Sequence, residues 1–143
     1  MPVNNIIEPI KTFIATYSGL TAGAPLTVDS MGGEAVQYSI QPLPGDRIVE
    51  EYIDGSCVCE YPFAFRSIMS TAAEADRIAN NGFYEDFAQW MKTQTLAGTL
   101  PTMETDKTAE KIEAIGWGFI ETEGESDTAI YQITCKLTYK QQP

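Results

Sequence analysis

The sequence has no histidine. That removes the commonest general base, the commonest zinc ligand and every Ser-His or Cys-His nucleophile pair. Cysteine is scarce: Cys57, Cys59 and Cys135 form an odd set without framework spacing, so reduced, mostly buried thiols are expected. No apolar run approaches the length that crosses a bilayer. Met1–Ile10 lacks a basic start followed by an apolar block, so no secretory signal is expected, and the chain should be cytoplasmic when it is made. Basic residues are few as well, with 9 Lys and Arg against 20 Asp and Glu, a formal net charge of −11. Such a chain is repelled by nucleic acid phosphates and by anionic membranes. Neither sequence-specific nucleic-acid binding nor a membrane role is expected.

What is present suits a folded domain. The 143 residues, 43% of them apolar, match one domain spanning 1–143 and can bury a core without disulfides or metals. Ile6, Ile7, Ile10, Phe13, Ile14 and Tyr17 recur at helical spacing, which predicts a helix over 3–17 starting near Asn5 and stopped by Gly19. Residues 20–35 read as loop with a short strand at Leu26–Asp29. Val36, Tyr38 and Ile40 then alternate with Gln37, Ser39 and Gln41, the pattern of a strand with one buried face. A turn follows at Pro42, Pro44, Gly45 and Asp46. Arg47–Ile53 reads as a strand, and Asp54-Gly55 is a strong hairpin signal. In the long strand after it, Cys57, Cys59, Tyr61, Phe63 and Phe65 share one face, and Pro62 predicts an edge or a bulge. Residues 71–97 read as two helical pieces broken near Asn80-Asn81-Gly82, with an aromatic stripe of Phe83, Phe87, Trp90 and Met91 in the second. A last hairpin joins Ala109–Ile120 to Thr128–Tyr139 through the acidic turn Glu121–Asp127. The order predicts an α+β fold: a mainly antiparallel sheet, with the N-terminal helix and the central helical block packed on one face.

Each candidate for chemistry meets a plainer reading. The sulfurs of Cys57 and Cys59 project to one face of a strand and Cys135 could join them, but a metal site needs about four ligands, and C-x-x-C is absent. They read as small buried apolar groups. Carboxylates are plentiful, at Glu50, Glu51, Asp54, Glu85, Asp86 and the Glu121–Asp127 run. They fall in turns or on polar faces and read as solvated surface. The acidic run lacks the residue order of an EF-hand calcium loop, and Gly32-Gly33 lacks the lysine and spacing of a phosphate loop, leaving a hinge. Gly116-Trp117-Gly118 marks either a close backbone approach, an edge met by a partner, or a core tryptophan. No catalytic residue, cofactor site or metal site is expected.

The order of segments resembles a group of minor structural proteins (minor capsid or tail terminator-like) of Gram-positive bacterial phages and prophages. The resemblance is carried by the helix Ile6–Tyr17, Ala35-Val36-Gln37-Tyr38-Ser39-Ile40, Tyr52-Ile53-Asp54-Gly55-Ser56 and Asn81-Gly82-Phe83-Tyr84-Glu85-Asp86-Phe87. It continues through Leu100-Pro101, Lys107-Thr108-Ala109-Glu110-Lys111-Ile112-Glu113, Asp127-Thr128-Ala129-Ile130-Tyr131-Gln132-Ile133 and Cys135, nearly the whole chain. Some members carry the label chloramphenicol resistance protein. Chloramphenicol acetyltransferases depend on a catalytic histidine, which this chain lacks.

The resemblance implies a non-enzymatic tail terminator or head–tail joining subunit. It would form a ring of identical copies, a hexamer by analogy with the tail tube. Its partners would be the tail tube protein and the head–tail connector protein, at the virion tail or head–tail junction, with assembly in the host cytoplasm. Asp54, Gly55, Trp117, Glu121, Glu123, Glu125 and Asp127 are then expected at contacts or in an acidic channel that repels DNA. Two other function classes stand beside this one: a small-molecule enzyme of acyltransferase type, and a monomeric binding module acting on a host protein.

Overall fold

A computed structural model describes residues 6–20, 26–28, 37–44, 48–123 and 128–143. The expected hinge at Gly32-Gly33, the strand start at Val36 and the turn residues Gly45 and Asp46 lie outside them. The described elements are α1 (Ile7–Ile14), β1 (Leu26–Val28), β2 (Gln37–Pro42), β3 (Ile48–Glu51), β4 (Cys57–Ser70), α2 (Glu74–Ala97), β5 (Lys107–Glu123) and β6 (Thr128–Gln141). The fold is α+β, with a six-stranded sheet ordered β1-β2-β4-β6-β5 and β3 also paired to β4. All pairings are antiparallel except β1 with β2.

The sheet is organised by β4 and β6, which pair without interruption from Cys57↔Gln141 to Ser70↔Thr128. The alternation along β6 is complete: Ala129, Tyr131, Ile133, Cys135, Leu137 and Tyr139 are all buried. They face the helices with Cys59, Phe63 and Phe65 of β4, as the period of two requires. The core is closed by aromatic contacts within and between the helix and sheet layers. Phe65 lies 4.5 Å from Phe87 of α2, Tyr38 lies 5.7 Å from Phe65, and Phe13 of α1 lies 4.9 Å from Trp90. Tyr17 bridges the two helices, at 4.9 Å from Trp90 and 5.4 Å from Phe87.

Several local expectations are corrected. Residues 74–97 form one helix rather than two, because the Asn80 and Asn81 side chains find backbone partners without breaking it. Asn80 Nδ2 donates to Ser70 O at 2.8 Å, tying α2 to the end of β4, and Asn81 Nδ2 donates to Arg77 O at 2.9 Å. Gly98 ends α2 as expected, with φ +76° and Thr99 N–H reaching back to Gln94 O at 2.9 Å. In contrast, Gly19 does not stop α1. The helix ends at Ile14 with Ala15 as C-cap, and Gly19 instead lies under the Tyr17 ring. Pro9 falls in the first turn of α1, where the backbone N–H has no helical partner to lose.

Pro62 lies in the central strand, not on an edge. Its carbonyl accepts the Leu43 N–H at 3.0 Å, so its missing donor faces the side of β4 shared by β2 and β3. At Pro62 that side falls between them, since β2 pairs with Phe63–Ile68 and β3 with Cys57–Cys59. Pro62 accepts from Leu43 but has no N–H to return, and the β2 ladder ends at that step. In β2, Ser39 is buried together with Tyr38 and Ile40, so the strand is covered on both faces.

Candidate assembly surfaces

The two lateral margins of the sheet carry its uncovered apolar side chains. Among the described residues the exposed large apolar side chains are Ile48, Val49, Tyr52, Ile53, Ile78, Leu96, Ile115, Trp117, Phe119 and Ile120. All but Ile78 and Leu96 belong to the β3 hairpin or to β5. These two elements flank β4 and β6 on opposite sides.

On one side, β3 pairs with the start of β4 and every one of its residues is exposed. The hairpin turn is built by Asp54 and Gly55. Asp54 Oδ1 accepts from Ser56 N–H at 2.9 Å and from Ser56 Oγ at 2.6 Å, while Gly55 takes φ +90°, which a side chain would resist. Those Ser56 bonds hold the Asp54 carboxyl below its ordinary pKa. Tyr52 N–H to Ser56 O at 2.9 Å and Gly55 N–H to Tyr52 O at 3.0 Å close the loop. The turn is therefore rigid by its own bonding, and it presents Ile53 wholly to solvent. Lys140 Nζ lies 5.8 Å from the centre of the Tyr52 ring, a cation–π contact joining the hairpin to β6.

On the other side, β5 is the sheet's margin and changes character along its length. At Ile112 the strand is covered, because the hydroxyl of Thr95 in α2 accepts Ile112 N–H at 3.1 Å and donates to Ile112 O at 2.8 Å. One side chain thus satisfies both backbone groups. Beyond Ile115 the register with β6 shifts, since Ile115 pairs with Thr134 and Phe119 with Gln132. Two extra residues are absorbed in a bulge at Gly116-Trp117-Gly118, where Gly116 takes φ +82°. Gly118 passes so close to α2 that a Cβ there would sit 2.5 Å from Tyr84 Cβ. Trp117 is thrown outward and is 73% exposed. Of the three sequence readings of this motif, the close backbone approach holds and the core tryptophan does not, and the edge that a partner would meet is open.

A groove of about 380 Å³ runs beside this margin between α2 and β5, lined in part by Glu85, Lys92, Leu96 and Trp117. A second groove, about 550 Å³, lies between α1 and residues 99–104 and is lined in part by Phe13, Leu100 and Met103. The helix-free face of the sheet carries a line of charges across β4, β6 and β5. Lys136 Nζ lies 2.8 Å from Glu60 and 3.7 Å from Glu113, and Lys111 lies 3.6 Å from Glu113. The Glu60 bond raises the Lys136 pKa. Such part-exposed pairs are worth up to about 1 kcal/mol each.

The residues expected at contacts do not gather in one place. Asp54 and Gly55 lie beyond the Cys57 end of β4. Glu121 and Glu123 lie at the opposite end, where β5 pairs with Ala129 and Ile130 of β6. The two ends are roughly 40 Å apart at about 3.3 Å per residue. Glu121 and Glu123 close the last strand turn of β5, with their side chains outside the description, and Glu125 and Asp127 lie outside the described residues. Trp117 stands between the two ends on the β5 margin. Sequence reasoning missed Ile53, Ile115, Phe119 and Ile120 as surface residues, and Thr95 as the cover of Ile112. A signal existed: Ile115 to Ile120 holds no polar residue, so neither face of that stretch is set aside for water.

Cys57 and Cys59 place their sulfurs 3.4 Å apart. Cys135 is fully buried, and burial pushes its thiol pKa far up. Among the described residues no group of three or more Cys, Asp or Glu could hold a metal ion, and no helix is long and apolar enough to cross a membrane. No protein-family model matches the sequence, and no curated protein matches it.

Proposed function

We propose that the chain is a non-enzymatic structural subunit of a phage or prophage tail, a tail terminator or head–tail joining protein that caps the tail tube as a ring of identical copies. The observation that carries this reading is the pair of uncovered apolar margins on opposite sides of one sheet, at Ile48–Ile53 and Ile115–Ile120. Each exposes roughly 400–500 Å² of side-chain surface, given about 150–250 Å² for an aromatic side chain. Apolar surface of that size gathered at an open sheet edge suits a place where another molecule sits. A subunit with two lateral contacts is what a closed ring requires.

The segment order described above supports the phage assignment, with the tail tube protein and the head–tail connector as axial partners. The two ends of the sheet, with Asp54 at one and Glu121 and Glu123 at the other, suit a subunit that meets different partners above and below. The charge of −11 suits a ring that lets DNA pass without holding it.

The test is electron microscopy of particles made with this gene inactivated in its parent phage. Overlong tails without heads are expected for a terminator. Tails of normal length detached from filled heads assign the chain to the connector instead, and intact virions refute both.

A further inference from the structure

We propose that the two margins are the two halves of a single contact, in which the open half of β5 in one copy docks on the β3 hairpin of the next. The inference rests on the self-assembly reading above and adds which surfaces meet and in what sense. Its occupant is a second copy of this chain.

Strand direction favours this pairing. β3 is antiparallel to β4, β6 is antiparallel to β4, and β5 is antiparallel to β6, so β3 and β5 run in opposite directions. Copies set side by side in one orientation therefore bring antiparallel edges together, the more stable ladder. Thr95 occupies the outer backbone groups of β5 at Ile112, so the uninterrupted free edge begins beyond it. That leaves the stretch carrying Ile115, Trp117, Phe119 and Ile120.

Area favours the same pairing, and charge disfavours two hairpins meeting each other. The two margins are matched in exposed apolar surface, roughly 400–500 Å² each, spread over both faces of their strands, so an edge-to-edge contact covers part of it and adds the paired backbones. A specific interface needs about 1,000 Å². The β3 hairpin carries Glu50, Glu51 and Asp54 and has no Lys or Arg between Ile48 and Ser56. Two hairpins would repel each other. The β5 side is mixed: Lys92 of α2 lines the groove beside Trp117 together with Glu85 and Glu113, so it offers the hairpin carboxylates a cation where a second hairpin offers none. A contact of unlike surfaces repeats head to tail, and it closes into a ring or runs on as a filament. The patches are offset along the strands by roughly 20 Å, so closure inclines the strands to the ring axis, as in a closed barrel.

Two variants test this, Trp117→Glu and Ile53→Glu, each on a side chain that packs against nothing in the core. The wild-type chain is expected to form species larger than a dimer in analytical ultracentrifugation. Each variant alone should be monomeric, with self-association weakened at least about 100-fold. An equimolar mixture of the two should form a one-to-one heterodimer and stop there, because only one sound contact can be made, and that heterodimer also proves both variants folded. A mixture that stays monomeric overturns the proposal. If the variants assemble as the wild type does, the ring reading survives and this contact falls. Wild-type filaments in place of rings sink closure and keep the contact. A wild-type chain that stays monomeric at about 100 μM, well above micromolar affinity, overturns both.

Discussion

Replacing Gly118 with alanine adds one methyl group at the tightest meeting of β5 and α2. The new Cβ would lie 2.5 Å from Tyr84 Cβ and 2.6 Å from Cγ, against the 3.5–4.0 Å or so at which carbon atoms rest. Tyr84 has no room to yield. Its ring is buried, its hydroxyl is bonded to Ser67 Oγ and to Tyr131 O, and its Cβ is fixed to the helix backbone. Gly118 is not in the left-handed region, so the cost is steric and not conformational. Overpacking of this kind costs about 1–3 kcal/mol. Alanine returns about 0.4–1 kcal/mol by restricting the unfolded chain, leaving a net loss of about 1–2 kcal/mol. In a chain of this size that lowers the Tm by about 3–8 °C. Gly82 is the control. It lies inside α2 with nothing within 4 Å of an added Cβ, so Gly82→Ala should raise stability by about 0.5–1 kcal/mol. Urea unfolding of both variants reads the two signs. A Gly118→Ala protein as stable as its parent, with an unchanged m-value, would refute the close passage of β5 beneath Tyr84.

Three further outcomes are expected. Thr95→Val removes the hydroxyl that satisfies both backbone groups of Ile112, so it should cost about 1–2 kcal/mol in urea unfolding and increase light scattering as the covered edge opens. Tyr84→Phe should change the alkaline limb of stability. Burial raises the Tyr84 pKa above its ordinary 10.0, so below that pH both states hold the proton and nothing changes. Above it the unfolded chain loses a proton that the native state keeps, and stability falls by up to about 1.4 kcal/mol per pH unit. Unfolding at several pH values should show the variant's slope shallower by one proton, and equal slopes would refute the buried phenol. With a thiol reagent on the native protein, half-buried Cys57 should label first and Cys135 only after unfolding, and equal rates would show that the sheet does not protect Cys135.

Much of the fold was legible because β6 alternates perfectly and because Asp54-Gly55 and Gly98 sit where turn chemistry needs them. The α2 break was misread because Asn80-Asn81-Gly82 is weak helix sequence locally. The bonds that carry the helix through it reach Ser70, ten residues earlier, which no window of propensity contains. Pro62 was misread for a related reason. A proline excludes one hydrogen bond on one side, and only the ends of β2 and β3 reveal that Pro62 falls where the β2 ladder stops. Trp117 could be singled out from its flanking glycines, yet whether it pointed in or out depended on a two-residue register shift against β6. Ile53 stands beside a turn signal strong enough to draw the eye to Asp54 and Gly55, whose work is to bond the loop to itself.

The division of β5 argues that its open half is a surface kept open and not one left over. A free strand edge of this length is an aggregation hazard, and chains blunt such edges with charges, bulges and covering groups. Here four of the strand's six charges, Lys107, Glu110, Lys111 and Glu113, and the Thr95 cover fall on its first half, and the other two, Glu121 and Glu123, close its far end. The second half carries no basic residue after Lys111, and it holds four of the exposed large apolar side chains. Its bulge does not hide Trp117 but projects it. At about 25 cal/mol per Å², the roughly 400–500 Å² exposed there leaves on the order of 10 kcal/mol of burial unmade. A strand that merely needed protection would place its charges and its cover over the tryptophan. This one places them beside it, which is the arrangement that the proposed contact with a second copy requires.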